Sequence, residues 1–207
     1  MATAGEIARI FGEAMGLTEA SVALRYRALR EDGLVVKAAR GRYTPDRSML
    51  ESARLLIAIM GAQAVAEVAA SVRLIGSARC KIAGEPGHAD HSYRFEDVIK
   101  ELLEWAIGVE REGKALEHYD LGVLDARTSV EVAVMSTALT AQLRINDEPA
   151  MRFYRAEDVP LPSDPRKAEI QQSVAERART ERMQTTQTID EVVLRRIATG
   201  LIQSGSC

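Results

Sequence analysis

The chain has 207 residues, of which 46% are hydrophobic and only 4% aromatic, and its formal net charge is −3 at pH 7. This length is sufficient for one large domain or two small ones, and the apolar content is ample for a core of aliphatic side chains, which suits helix packing. The composition excludes a disulfide framework, since Cys80 and Cys207 are the only cysteines, and no apolar run approaches the roughly 18 residues of a membrane span.

Two helices are predicted at the start of the chain. The pattern of residues 5–15 is amphipathic, with the buried side formed by Ile7, Ile10, Phe11, Ala14 and Met15. Gly16-Leu17 predicts a tight turn, and Thr18 can cap a second helix that opens with Glu19. Gly33 can take the left-handed conformation that ends this helix. Three residues at i, i+4 and i+7 should face the core, namely Val22, Tyr26 and Leu29.

The segment Val35–Tyr43 (VVKAARGRY) is typical of a two-stranded wing, with Gly41 permitting the turn. The whole stretch Gly16–Tyr43 (GLTEASVALRYRALREDGLVVKAARGRY) resembles the second and third helices plus the wing of a bacterial or phage winged helix-turn-helix domain. The resemblance covers about residues 3–47. It implies binding of double-stranded DNA, with the recognition helix in the major groove and basic side chains on phosphates. The DNA-binding residues it implies are Ser21, Arg25, Arg27, Arg30, Lys37, Arg40 and Arg42.

Charge is distributed unevenly along the chain. Between Ala20 and Arg47 there are seven basic and three acidic residues, a net of +4, so the rest of the chain sums to −7. A basic island on an acidic protein indicates one surface that faces a polyanion. Two positions of the recognition helix, Ala23 and Leu24, are apolar where such helices often carry polar residues that read base edges. Base reading would then either fall to Ser21, Arg25 and Arg27 or be weak.

An apolar, alanine-rich region follows, and Gly61 should divide residues 49–78 into two helices. Such a pair must bury against a larger body, so we expect either an ordinary buried connector or a surface for self-association. Residues 81–93 then have the composition of a linker. A zinc site formed by Cys80, His88 and His91 is an alternative to a solvated loop, but it lacks a fourth ligand and the close paired spacing of zinc motifs, so no metal site is predicted.

The remainder of the chain mixes helices and strands. A helix with one acidic face is expected over Phe95–Glu112, and period-two alternation predicts strands over 129–135 and 139–145, with a turn at 146–149 before a third strand. A polar helix is expected over 166–183, and a strand over 185–189 leads into a last helix capped by Asp190.

The predicted fold class is therefore α+β. Residues 1–47 form a winged helix-turn-helix DNA-binding domain, 48–80 an apolar helical connector, 81–93 a linker, and 94–207 a mixed domain with a small antiparallel sheet that serves self-association or partner binding. The chain carries no phosphate-binding loop, dinucleotide fingerprint or nucleophile elbow, so neither an enzyme nor a cofactor is expected.

The expected function is sequence-specific binding of double-stranded DNA by a transcriptional regulator, a homo-oligomer for which a dimer is favoured because paired half-sites multiply selectivity. One alternative is a phage-type DNA-packaging recognition subunit of the small terminase class, and another is a protein-binding adaptor that uses the winged fold. A further protein partner could be held by residues 94–207. No export signal follows Met1, so the expected location is the cytoplasm, without a membrane partner.

Overall fold

The computed structural model describes residues 3–36, 49–82, 94–112, 116–118, 122–125, 127–135, 140–154 and 186–204. Helices in these ranges are α1 (Ala4–Met15), α2 (Glu19–Glu31), α3 (Met49–Gly61), α4 (Val68–Gly76), α5 (Phe95–Glu112) and α6 (Glu191–Gln203), with a short 3₁₀ turn at Val65–Glu67. Strands are β1 (Arg79–Ile82), β2 (Leu116–His118), β3 (Gly122–Leu124), β4 (Val130–Met135), β5 (Thr140–Ile145), β6 (Glu148–Tyr154) and β7 (Thr186–Asp190). The predicted α+β class is confirmed.

Local signals in the sequence placed most helix ends correctly. Thr18 caps α2, and its side chain accepts a hydrogen bond from the backbone N–H of Ser21. Gly33 is left-handed, with φ of 73°, directly after α2 ends. Gly61 closes α3, α5 has the predicted bounds, and Asp190 caps α6 by accepting from the N–H of Val193. These ends depend on contacts within one turn of chain, which a sequence pattern can report.

Five strands form one antiparallel sheet in the order β1-β6-β5-β4-β7. The hairpin between β5 and β6 turns at Asn146 and Asp147, whose φ values of 50° and 66° fit the two-residue turns that match strand twist. Strand β1 was not predicted; it pairs with β6, so residues 81 and 82 belong to a strand and not to the expected linker. Strands β2 and β3, which pair with each other, were not predicted either.

Alternation along the strands places one face of the sheet in the core. The buried members of that face are Val130, Val132, Val134, Ala141, Leu143, Met151, Phe153 and Ile189. Helix α5 packs there through Phe95, whose ring meets Phe153 edge-on at 4.9 Å between centroids. The neighbouring positions, such as Gln142 and Arg152, are partly or fully exposed. This is the two-layer arrangement expected when a half-polar sheet covers helices on one side.

Helix α3 lies at the centre of the core. Every residue from Leu55 to Met60 is at most 2% exposed, because α2, α4, α5 and the sheet cover it. The expectation of a buried helix is confirmed for α3, whose apolar sides are covered by the same chain.

The first and last described helices are in contact. Helix α1 packs against α6, and buried apolar side chains from Ile7 to Leu201 form one cluster. The contact is close at Gly200, where an added Cβ would lie 2.7 Å from Cγ2 of Ile10. The segment predicted as the DNA-binding domain therefore packs directly on the last helix of the chain.

Candidate nucleic-acid interface

Helices α1 and α2 are joined by three residues, Gly16, Leu17 and Thr18. Gly16 is left-handed, with φ of 67°, and Leu17 donates its N–H to the carbonyl of Gly12 at 2.8 Å. A Cβ on Gly12 would lie 2.9 Å from the Leu17 carbonyl oxygen, so a side chain there would displace the turn. The turn thus sets where α2 begins relative to α1.

The first turn of α1 is fixed by a reciprocal cap. Glu6 donates its N–H to the Thr3 hydroxyl, and the Glu6 carboxylate accepts the Thr3 N–H. That backbone hydrogen bond, followed by the one from the Thr3 side chain, holds the pKa of Glu6 below its usual 4.5. The cap satisfies backbone donors that a helix start otherwise leaves open.

Helix α2 buries one face and exposes the other. Val22, Tyr26 and Leu29 are at most 3% exposed, as predicted. The solvent side is a stripe at i, i+3, i+4, i+7 and i+11, composed of Ala20, Ala23, Leu24, Arg27 and Glu31. We call these five residues the α2 outer stripe. Leu24 is the most prominent apolar side chain in it, at 52% exposure.

Arg25 and Ser21, both predicted to contact DNA, are engaged within the protein. The Arg25 Nη1 donates to the Ser21 hydroxyl at 2.7 Å and to the Ser21 carbonyl at 3.3 Å. Its Nη2 donates to the carbonyl of Ala62 at 3.4 Å, just beyond α3. The guanidinium therefore ties α2 to α3, and the serine hydroxyl supports that contact.

The other two arginines of α2 differ in exposure. Arg27 is largely exposed, and its Nε lies 2.7 Å from Oε1 of Glu31 on the same helix. An exposed pair of this kind contributes little and opens readily, so the guanidinium remains accessible to another anion. Arg30 is half-buried near the end of the helix.

A buried polar cluster holds the segment that leaves α2. Glu51 is 7% exposed, and its carboxylate accepts the N–H of Val36 at 2.8 Å. One helical turn later, Arg54 donates to the Leu34 carbonyl at 2.9 Å and pairs with Glu96 of α5 at 2.9 Å. The chain entering the predicted wing is thereby fastened to α3.

This cluster was not predicted from the sequence, and Glu96 was assigned to a solvated acidic face. That assignment is wrong, since Glu96 is only 9% exposed. A signal was present, because Glu51 and Arg54 are charged residues inside an otherwise apolar helix. Charges in such a position are buried only when paired.

Lys37, Arg40 and Arg42 lie outside the described residues, as do the other wing residues from 38 to 43, the helix expected over 166–183 and the two linker histidines. In the described ranges, no group of three or more His, Cys, Asp or Glu side chains could hold a metal ion. Within those same ranges, each helix is too short or too polar to cross a bilayer. Comparisons with family models, curated proteins and solved structures found no match to this chain.

Proposed function

We propose that the protein binds double-stranded DNA through α2 and the basic segment that follows it. The observation that carries the proposal is the α1–turn–α2 unit, in which three residues join two helices and α2 keeps a continuous exposed stripe. This is the layout that a helix-turn-helix uses to place its second helix in the major groove. The basic residues at 37, 40, 42 and 47 follow shortly after α2 in the sequence.

The basic side chains have two different roles in this proposal: some contact DNA phosphates, and one positions α2 from inside the protein. Arg27 exchanges its exposed carboxylate partner for a phosphate, which accepts two guanidinium hydrogen bonds. Arg30 and the cations of the predicted wing, Lys37, Arg40 and Arg42, supply further phosphate contacts. Arg25 positions α2 from within, and its removal would act on DNA only through the placement of the helix.

The apolar part of the α2 outer stripe bears on base recognition. Ala20, Ala23 and Leu24 offer no hydrogen bond, but apolar side chains in the major groove contact the 5-methyl group of thymine. We therefore propose a preference for thymine-containing sites. Replacing thymine by uracil in the duplex removes only that methyl, so affinity should fall for the wild type and should fall less for Leu24→Ser, which keeps only the two alanines.

The decisive experiment is fluorescence anisotropy of a labelled duplex titrated at two salt concentrations. Arg27→Ala and Arg40→Ala/Arg42→Ala should weaken binding and reduce the salt slope by about one unit for each phosphate that is no longer neutralised. Arg152→Ala is the matched control, because it removes an exposed arginine from β6, outside the proposed interface. Absence of binding by the wild type at low salt would overturn the proposal.

Exposed Leu24, with Ala20 and Ala23 preceding it on the α2 outer stripe, also favours a second candidate, a protein-docking helix. A docking role predicts binding that is abolished in Leu24→Ser and insensitive to salt. Transcriptional regulation is the role we favour for a DNA-binding protein of this layout, acting as a dimer in the cytoplasm. Native mass separates it from a DNA-packaging subunit, because packaging requires a ring of many copies and a regulator a dimer.

A further inference from the structure

A groove of about 500 Å³ lies between α1 and α6. The apolar or small residues that line it are Ile10, Ala14, Val192 and Gly200. Val192 is 46% exposed, although it belongs to an amphipathic helix whose other apolar residues are mostly buried. A concave site of this size holds a small molecule with some apolar surface.

Three arginines line the same groove. Arg9 comes from α1, and Arg195 and Arg196 are adjacent on α6. Among the lining residues that the structure describes, Glu13 is the single carboxylate, and Arg9 approaches it at 3.0 Å. The described lining residues thus carry three guanidinium groups and one carboxylate, in a chain whose net charge is −3.

The two arginines of α6 differ in how firmly they are held. The guanidinium carbon of Arg195 lies 5.8 Å from the ring centroid of buried Trp105. This cation–π contact orients the arginine side chain. Trp105 is itself fixed, because its indole N–H donates to the carbonyl of Leu124 at 3.0 Å. Arg196 is exposed and forms no ion pair with the other described residues. The groove therefore combines one pre-oriented cation with one that is available to a ligand.

We propose that this groove binds a small dianion, a phosphate monoester or a dicarboxylate, with its charged group on Arg195 and Arg196. Guanidinium groups suit both anions because their planar donors match carboxylate and phosphate oxygens. Thr199 and Gln203 supply neutral hydrogen-bonding groups one and two turns further along α6. The site stands apart from the DNA proposal, because it uses none of the residues assigned to that interface.

The test is isothermal titration calorimetry with glycerol 3-phosphate and succinate, and with glycerol as the uncharged probe. Arg196→Gln should weaken binding of the dianions about tenfold or more, as expected when a charge-assisted hydrogen bond is removed. Arg152→Gln, which removes an exposed arginine on β6, is the matched control and should leave binding unchanged. Glycerol should not bind.

A second variant keeps the proposal open to refutation if Arg196→Gln is poorly folded. Glu13→Gln removes the competing carboxylate and frees Arg9, so it should tighten binding several-fold, a gain that misfolding cannot produce. Amide shifts in a titration followed by NMR should be confined to residues 9–14 and 192–203. The proposal is overturned if neither dianion binds at millimolar concentration, if the Arg152 variant weakens binding equally, or if the shifts lie elsewhere.

Discussion

Two glycine-to-alanine substitutions should change stability in opposite directions. Both Gly200 in α6 and Gly108 in α5 are helical, so alanine is favoured at each by up to about 1 kcal/mol. At Gly200, however, the new methyl would lie 2.7 Å from Cγ2 and 3.0 Å from Cγ1 of Ile10. These atoms adjoin the branch point of a side chain that is only 3% exposed, so the contact cannot be relieved by moving a flexible end.

Overpacking of this kind costs about 1–3 kcal/mol, and the rigid position of Ile10 supports the upper figure. Gly200→Ala should therefore lower the free energy of unfolding by about 2 kcal/mol net. Around Gly108 no atom of the described residues lies within 4 Å of the added Cβ, so Gly108→Ala should raise stability by about 1 kcal/mol.

Urea denaturation measures both changes, because a shifted midpoint at constant slope reports stability alone. If Gly200→Ala were as stable as the wild type or more so, the close packing of α1 on α6 would be refuted. The same result would remove the geometric basis of the groove between these helices.

Further predictions concern the cap of α2, the buried ion pair and acid stability. Thr18→Ala should lower the free energy of unfolding by about 1 kcal/mol through loss of the N-cap, with Thr18→Ser close to wild type. Arg54→Met should cost about 3 kcal/mol in urea denaturation, because buried Glu96 then keeps only its longer contact with exposed Arg94, at 3.7 Å. The control Arg73→Met breaks the more exposed pair with Asp32 and should cost about 1 kcal/mol or less. Equal losses of stability in the two variants would contradict the argument that burial makes the Arg54 pair the more costly one to break. For Glu6, whose folded pKa is lowered, the stabilising contribution is complete above its usual pKa of 4.5 and is lost as pH falls through the folded value. NMR titration of that carboxylate should give a midpoint below 4.5, and a midpoint at or above it would argue against the cap.

Much of the helical structure could be predicted because its signals are local. The cap at Thr18, the left-handed Gly33 and the apolar spacing of α5 each depend on neighbours within a few residues. Strand β1 was missed for the opposite reason. It is four residues long and adjoins a linker-like sequence, and only its pairing with β6, some seventy residues later, makes it a strand.

In the candidate interface, too, some features could be predicted from local sequence and others depend on contacts between distant residues. Composition placed a basic island on an acidic chain, and the pattern of α2 correctly separated its buried face from its arginines. It could not distinguish among those arginines, since Arg25 turns inward only because the carbonyl of Ala62 lies within reach. Sequence spacing assigns a side chain to a helix face, but the neighbours of that face decide whether it meets solvent.

The sequence alone therefore determined the local elements of this protein: where most helices start and stop, which residues alternate in its main strands, and where positive charge is concentrated. The tertiary structure decided the partners of Arg25 and Glu96 and the groove between α1 and α6. The physical reason is separation along the chain. Periodicity and capping act over one or two helical turns, whereas the contact between Ile10 and Gly200 exists only once the whole chain has folded.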